Sequence, residues 1–339
     1  MRHSDQAMTM DAESIAPGAW RIGVPLDGHS IGSVNCYAFA SQEGLMLLDP
    51  GWGTQAVQDM LAATVAGLEV DAHEVLLVVA SHVHADHAGG LGYWRRRGAE
   101  IAIGVREADQ LARRYLGDEF GRATQQWSEQ AGLPPSLAAA AQRQVDGWQD
   151  LVEVAPITRE LHDGDEFTFG PFSFVVFETP GHTVGHVCLL ERTNGLLLSG
   201  DTLFARITYG PTFRPILFDD PLGAFRASLE RLGSLDGSVS MVHPGHLVAF
   251  EGLAMRTEEV LGHHAGRHIH VRDAIELSPH TAYEIARSIP RTRDWEDLRA
   301  MQMLSAVGDV LAHLVNLEAS GQAQRIELAD GTHRWTTRS

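Results

Sequence analysis

An α/β fold is predicted for this 339-residue chain, and three observations predict it. Short apolar runs of strand length recur over roughly the first 246 residues and alternate with segments of helical spacing. Those runs end in polar turns that carry histidine or aspartate, most densely in residues 81–90, SHVHADHAGG. From about His263 the pattern changes to helices followed by a small hairpin. The apolar content of 44% and charged content of 21% are those of a globular chain long enough to bury a full core. The formal charge is −18, and all 26 basic residues are arginine, a balance poorly matched to a polyanionic partner.

Residues 1–16 are polar and aperiodic and read as a loose tail. Strands are predicted over 20–24, 35–39 and 44–49, the last closed by Asp49-Pro50-Gly51. Residues 54–68 have helical spacing, with Thr54 as N-cap. The Val- and Leu-rich run 75–80 is a buried strand that delivers the motif. A helix is expected over 88–97, its basic end Arg95-Arg96-Arg97 read as an exposed face. After a strand at 101–103, residues 106–145 read as two or three helices broken at 132–135. They form an insertion (about 105–147) that serves as a lid over a pocket or as a packed layer.

Strands resume at 157–161, 167–169 and 172–178, the last ending in Thr179-Pro180-Gly181-His182. Further strands at 187–190, 196–201 and 239–242 follow, with a helix at 221–232. The last strand ends in His243-Pro244-Gly245-His246. Helices are then expected over 265–277, 281–288 and 295–320, the second opened by a Thr281-x-x-Glu284 capping box. Residues 322–328 and 333–336 make a hairpin around Asp330-Gly331.

In extended chain His82 and His84 point to one side, while a turn at Asp86-His87 aims that pair at a neighbouring point. The spacing suits two metal ions better than one, and imidazole with carboxylate suits Zn(II), Fe(II) or Mn(II). Cys36 and Cys188 are too few for a disulfide framework and read as buried small hydrophobes. No long apolar segment marks a leader, and no stretch approaches the roughly 18 apolar residues of a membrane span, so a cytoplasmic chain is expected.

With His182, Asp201 and His246 at later strand ends, the motif His82-x-His84-x-Asp86-His87 resembles the metallo-β-lactamase-fold hydrolases over residues 35–246. The resemblance implies a four-layer αββα sandwich of two mixed sheets, here with a helical insertion and a small winged-helix-like C-terminal domain. The divisions are a tail at 1–16, a catalytic domain at 17–262 and the C-terminal domain at 263–339. His82, His84 and His182 would hold one metal ion, and Asp86, His87 and His246 the other. Asp201 would bridge them and Asp49 would support the loop. The cofactor expected is two divalent ions, Zn(II) first, with Fe(II) or Mn(II) as alternatives. Aspartate at 201, where some β-lactamases carry cysteine, points away from lactam cleavage. Such a pair lowers the pKa of a bridging water, and Asp86 would orient the hydroxide and pass a proton to the leaving group.

The predicted activity is hydrolysis of a small ester, thioester or lactone. The alternatives are an endoribonuclease or phosphodiesterase, and a mononuclear iron persulfide dioxygenase. From His263 onward 9 arginines face 10 acidic residues, and 301–320 holds no arginine, which argues against RNA. Nucleic acid and membrane are therefore not expected partners. The appendage is read as a packing, dimerising or pocket-closing module. Tyr209 is a pocket candidate. Phe204 stands where members of the resembled family that cleave acyl-homoserine lactones place tyrosine, which weakens that substrate. His264 and Arg267 form a His-x-x-Arg pattern at an expected helix start, read first as a solvated helix turn, with a substrate-facing or interdomain role as the alternative. His186 and His243 read as supporting or packing residues.

Overall fold

Period-two alternation with apolar residues on both faces requires strands covered from both sides, and the architecture follows from that need. The computed structural model describes residues 10–28, 31–208, 211 and 219–338. The first sheet runs in chain order: β1 (Ala12–Ala16), β2 (Ala19–Pro25), β3 (Ser33–Ala40), β4 (Leu45–Leu48), β5 (Val75–Ala80), β6 (Glu100–Gly104) and β7 (Arg159–Leu161). Pairing is antiparallel up to β4 and parallel from β4 to β7. Parallel neighbours need crossovers. These are α1 (Gln55–Ala66), then α2 (Ala85–Ala88) with α3 (Leu91–Arg95), then α4 (Val105–Tyr115), α5 (Glu119–Gln130) and α6 (Pro135–Gln149).

The second sheet comprises β8 (Glu166–Phe169), β9 (Phe172–Glu178), β10 (Val187–Glu191), β11 (Leu196–Gly200) and β12 (Met241–Pro244), in the order β12-β11-β10-β9-β8. Its single parallel pair, β11 with β12, is crossed by α7 (Pro221–Gly233). Between the sheets Phe39, Met46, Leu48 and Val79 meet Phe172, Phe174, Val176 and Leu189. The Phe39 ring stands edge-on to Phe172 and Phe174, each with centroids 5.1 Å away. Separate apolar clusters seat α1, α3 and α4 on the outer face of the first sheet, and α7 with α8 (Leu253–Ala274) on that of the second. The result is the αββα sandwich that the resemblance implied.

Several boundaries differ from the sequence reading. Residues 12–16 are not loose tail but an edge strand, held by antiparallel pairing with β2. The helix expected over 88–97 is two short ones, interrupted at Gly89 and Gly90. A Cβ at Gly89 would sit 2.4 Å from the Ala85 carbonyl oxygen and 2.5 Å from that of Leu151, so the close backbone approach dictates glycine. The helix expected to start at 265 starts at Leu253, so the boundary drawn at 262/263 falls inside α8 and the His264/Arg267 pattern lies mid-helix. Thr54 precedes α1 but makes no side-chain cap bond. The Thr281/Glu284 capping box forms as expected.

After α8 come α9 (Ala282–Ser288), α10 (Ala300–Ala319) and the hairpin β13 (Ala323–Glu327) with β14 (His333–Thr337). Residues 295–297 are a separate single turn rather than the start of α10. By length and composition α10 would suffice to cross a membrane, which corrects the expectation that no stretch reaches that measure. It packs here against α6, α7, α8 and α9. Trp127, Ala131, Leu137 and Ala141 of the insertion share one core with Val271, Ile285, Leu304, Leu314 and Trp335. The insertion and the C-terminal segment therefore form a joint wall.

Candidate metal centre

Each ligand-type side chain stands where a strand stops, because only there can a polar group leave the core without losing hydrogen bonds. Asp49 follows β4 in the left-handed region (φ 59). Its buried carboxylate accepts the Ser81 N–H at 2.7 Å, the Ser81 hydroxyl at 2.8 Å and His87 Nδ1–H at 2.9 Å. Parallel pairing of Leu48 with Val79 brings the two strand ends side by side. Asp49 thus pins the loop after β5, the supporting place proposed for it.

The hydrogen bonds also decide which ring nitrogens face inward. Since Ser81 donates to Asp49, its oxygen accepts His82 Nδ1–H at 3.0 Å and leaves His82 Nε2 bare. His246 donates Nδ1–H to the Ser33 carbonyl at 2.7 Å, again freeing Nε2. The bare nitrogens gather in two groups. His84 Nδ1 lies 2.9 Å from His82 Nε2 and 3.0 Å from His182 Nε2. His87 Nε2 lies 3.3 Å from His246 Nε2, which is 3.2 Å from Asp86 Oδ2. Asp201 lies between them, with Oδ2 3.5 Å from His182 Nε2 and Oδ1 3.4 and 3.6 Å from His87 and His246. All seven residues read from the sequence as ligands are brought together.

These residues fit divalent cations. Nitrogens carrying lone pairs face one another at hydrogen-bond distance, and Asp201 Oδ1 is buried without a hydrogen-bond partner. A cation placed among them would relieve both. Burial, followed by neighbouring imidazoles, pushes His82 well below its ordinary value. Burial, with Arg114 next, does the same for His84, and His182 falls to about 4 through burial. Neutral imidazole is the ligating form. Burial opposes a charge on His87, but the carboxylates of Asp201, Asp49 and Asp86 raise it to about 10. Burial likewise opposes ionisation of Asp86, and His87 and His246 outweigh it, holding its carboxyl well below the usual range.

His186, read as a supporting residue, has a definite task. Its Nε2 accepts the Asp201 backbone N–H at 3.0 Å, so Nδ1 carries the proton and donates to Thr179 Oγ1 at 2.8 Å. That neutral tautomer fits a ring that burial holds well below its ordinary value. Gly200 (φ +47) is required beside it, since a Cβ would stand 2.5 Å from His186 Nε2. His243 packs edge-on to Tyr37 at 5.6 Å. Burial, helped by Arg21, lowers it from 6.5 to about 4. Folding keeps His243 neutral while the unfolded chain gains a proton below 6.5. Its contribution is therefore present above that pH and is lost as pH falls toward 4. The loss is about 2–3 kcal/mol. Denaturant midpoints of metal-free protein between pH 4 and 6.5 are expected to fall less steeply in His243→Asn than in the parent.

Two residues of the insertion escaped the sequence reading. Glu107, fully buried on α4, accepts the Val83 N–H at 2.7 Å and the Gly185 N–H at 2.6 Å, tying together the loops that carry His82/His84 and His182. Arg114, two turns further on, is 7% exposed. A glutamate in the first turn of a polar helix reads as solvated, so no local signal revealed it. Both residues line a cavity of about 430 Å³ over His84, Asp86, His182, Asp201 and His246. Trp52, Trp127 and Trp148 wall it, and Arg299, Met301 and Leu304 reach it from the C-terminal segment. That segment is thus pocket-closing.

The remaining candidates fall elsewhere. The Phe204 ring stacks on His246 at 6.2 Å, with its carbonyl accepting from Arg256 Nε at 2.7 Å. Tyr209 lies outside the described residues. His264 and Arg267 are not among the described residues lining the cavity. His264 faces His313 across α8 and α10 (3.4 Å), and Arg267 pairs with Asp309 at 3.3 Å, an arrangement between helices rather than toward substrate. Arg96 pairs with Glu153, and Arg97 lies over the Tyr93 ring at 3.4 Å, consistent with an exposed face.

A sandwich whose strand ends gather histidines and carboxylates at one edge defines a class of metal-binding α/β enzymes. The chain belongs to the metallo-beta-lactamase superfamily, whose sequence pattern matches residues 30–246, and residues 269–338 match the metallo-beta-lactamase-like C-terminal domain. It is 30% identical over 228 residues to the acyl-coenzyme A thioesterase MBLAC2 of Homo sapiens, covering 64% of this chain and 74% of that protein. It is 37% identical over 97 residues to a hydroxyacylglutathione hydrolase of Rhizobium johnstonii, 29% of this chain and 35% of that one. A beta-lactamase domain protein from Burkholderia ambifaria superposes with a TM-score of 0.82 at 25% identity, covering 98% of this chain and 96% of that structure. The chain is a hydrolase of this superfamily.

Proposed function

We propose that the protein is a dinuclear metal-dependent hydrolase of small thioesters. The observation that carries it is Asp201, whose two oxygens face the two ligand groups separately, Oδ2 toward His182 and Oδ1 toward His87 and His246. His82, His84 and His182 would hold one ion, Asp86, His87 and His246 the second, with Asp201 shared. When bound, the two ions supply a water acidic enough to ionise near neutral pH and an electrophilic partner for the carbonyl oxygen. Zn(II) suits the all-nitrogen-and-oxygen donor set, with Fe(II) or Mn(II) as alternatives.

The residues do the rest. Asp86 stands 3.2 Å from His246 Nε2, and its ionised carboxylate is placed to accept a hydrogen bond from the attacking water and orient it. His186, through the Asp201 backbone, and Asp49, through Ser81 and His87, fix the ligands so that little rearrangement accompanies reaction. Trp52, Trp127 and Trp148 give the cavity apolar walls against which an acyl group would pack. The thioesterase named among the relatives supports a thioester over an ester or lactone. RNA is disfavoured because α10, packed into the core, carries no arginine between Ala300 and Ala319.

Protein of measured metal content should be assayed against thioesters, lactones, phosphodiesters and RNA. About two ions per chain with thioester turnover is the expected result. One iron per chain with oxygen uptake would instead identify a dioxygenase, and turnover confined to phosphodiesters would overturn the substrate class.

A further inference from the structure

We propose that the cavity accepts an acyl group bearing its own negative charge, a carboxylate anchored by Arg114, so that the preferred substrates are thioesters of short dicarboxylic acids. The proposal rests on the thioester reading above and goes further by naming the acyl class.

Arg114 is a buried cation that lines the cavity, and its Nε is enclosed without a hydrogen-bond partner. A guanidinium taken out of water is costly unless hydrogen-bonded and paired with negative charge. The acid on the same helix, Glu107, directs its two oxygens to the backbone N–H groups of Val83 and Gly185 rather than to the Arg114 Nε. Aromatic faces hold the guanidinium in place instead: Phe120 at 4.3 Å, Trp148 at 5.3 Å and Tyr115 at 5.9 Å from ring centroid. Such a group is pre-organised, and its planar fork matches a carboxylate in two parallel bonds.

Position supports the same conclusion. One helical turn earlier, Gln110 lines the same cavity with a buried side-chain Oε1 that also lacks a partner. Turned with its NH2 toward the cavity, that amide would donate to the same carboxylate. The neighbouring Tyr115 hydroxyl donates to the Val83 carbonyl at 2.9 Å, so the end of α4 that carries Arg114 lies against the loop bearing His82 and His84. A volume of about 430 Å³ suits an acyl chain of a few carbons together with part of the thiol arm. In a chain of net charge −18 a buried, inward-facing cation is not a general attractor of anions; it acts at one place.

The reaction stays an ordinary hydrolysis. Water adds across the C–S bond, its hydroxyl to the carbonyl carbon and its proton to sulfur. The distal carboxylate is unchanged and serves only for binding.

The test uses the metal-loaded full chain with succinyl and butyryl thioesters of one thiol, compared by kcat/KM. The parent is expected to favour succinyl by about ten-fold or more, as charge-assisted hydrogen bonding gives. Arg114→Gln should bring that ratio to about one, and Arg114→Lys should keep part of it. If the parent shows no preference, or Arg114→Gln lowers both substrates equally, Arg114 only shapes the site and the proposal falls. Should Arg114→Gln not fold, the parent ratio alone decides. If the parent cleaves neither thioester but does cleave a lactone or phosphodiester, it is the thioester reading that has failed, and this inference falls with it.

Discussion

Asp201→Asn is expected to lower kcat/KM for hydrolysis by about three orders of magnitude or more, while circular dichroism and the cooperativity of unfolding stay near those of the parent. The substitution keeps the side chain's size and leaves the backbone N–H on His186 in place. What changes is charge and polarity at one carboxylate. Asparagine must turn an NH2 either toward His182 Nε2 or toward the His87/His246 pair, where the parent offers oxygen to both. One group of ligands then loses its shared acceptor, and the loss of about 4 kcal/mol of barrier lowering corresponds to that rate. Metal analysis run alongside should give fewer than the parent's ions per chain. Undiminished turnover with undiminished metal would refute the bridging role. His84→Ala is expected to act in the same direction, because His84 Nδ1 is the atom that both His82 and His182 approach.

Glu107→Ala is expected to lower stability by about 3–5 kcal/mol in denaturant unfolding. It leaves two buried backbone N–H groups, of Val83 and Gly185, without an acceptor, at about 1–3 kcal/mol each, and opens a cavity between two loops. The same loops carry His82, His84 and His182, so metal affinity should fall about 10–100-fold with it. Glu107→Gln can still accept with its one carbonyl oxygen and should recover part of both. A Glu107→Ala protein with parental stability and metal affinity would show that the clamp contributes nothing.

The ligand-type residues were legible because their chemistry is conspicuous. A histidine or aspartate after an apolar run is costly unless it has a partner, and residues 81–90, His182, Asp201 and His246 repeat that pattern at four strand ends. Period-two apolar runs likewise disclosed most strands of both sheets, from β2 to β12. Errors arose where local pattern is weak. The edge strand β1 is polar and exposed, so its pairing with β2 left no hydrophobic trace. The start of α8 was placed late because a left-handed Gly252 stands where a side-chain cap would have marked it.

By itself, then, the sequence determined the strand runs and the seven ligand-type residues at their ends, which depend on residue type and spacing, and through the family they resemble it pointed to the sandwich and to hydrolysis. Tertiary structure alone decided which nitrogens face inward, which Asp201 oxygen faces which group, and that Glu107 joins loops 24 and 78 residues away. It also decided that the insertion and the C-terminal segment share a core and close the cavity over the metal centre. These are contacts between residues far apart in the chain, and hydrogen-bond acceptance or burial at such distance leaves no periodicity to read. A glutamate or arginine on a polar helix looks the same in sequence whether it meets water or, like Arg114, the inside of a pocket.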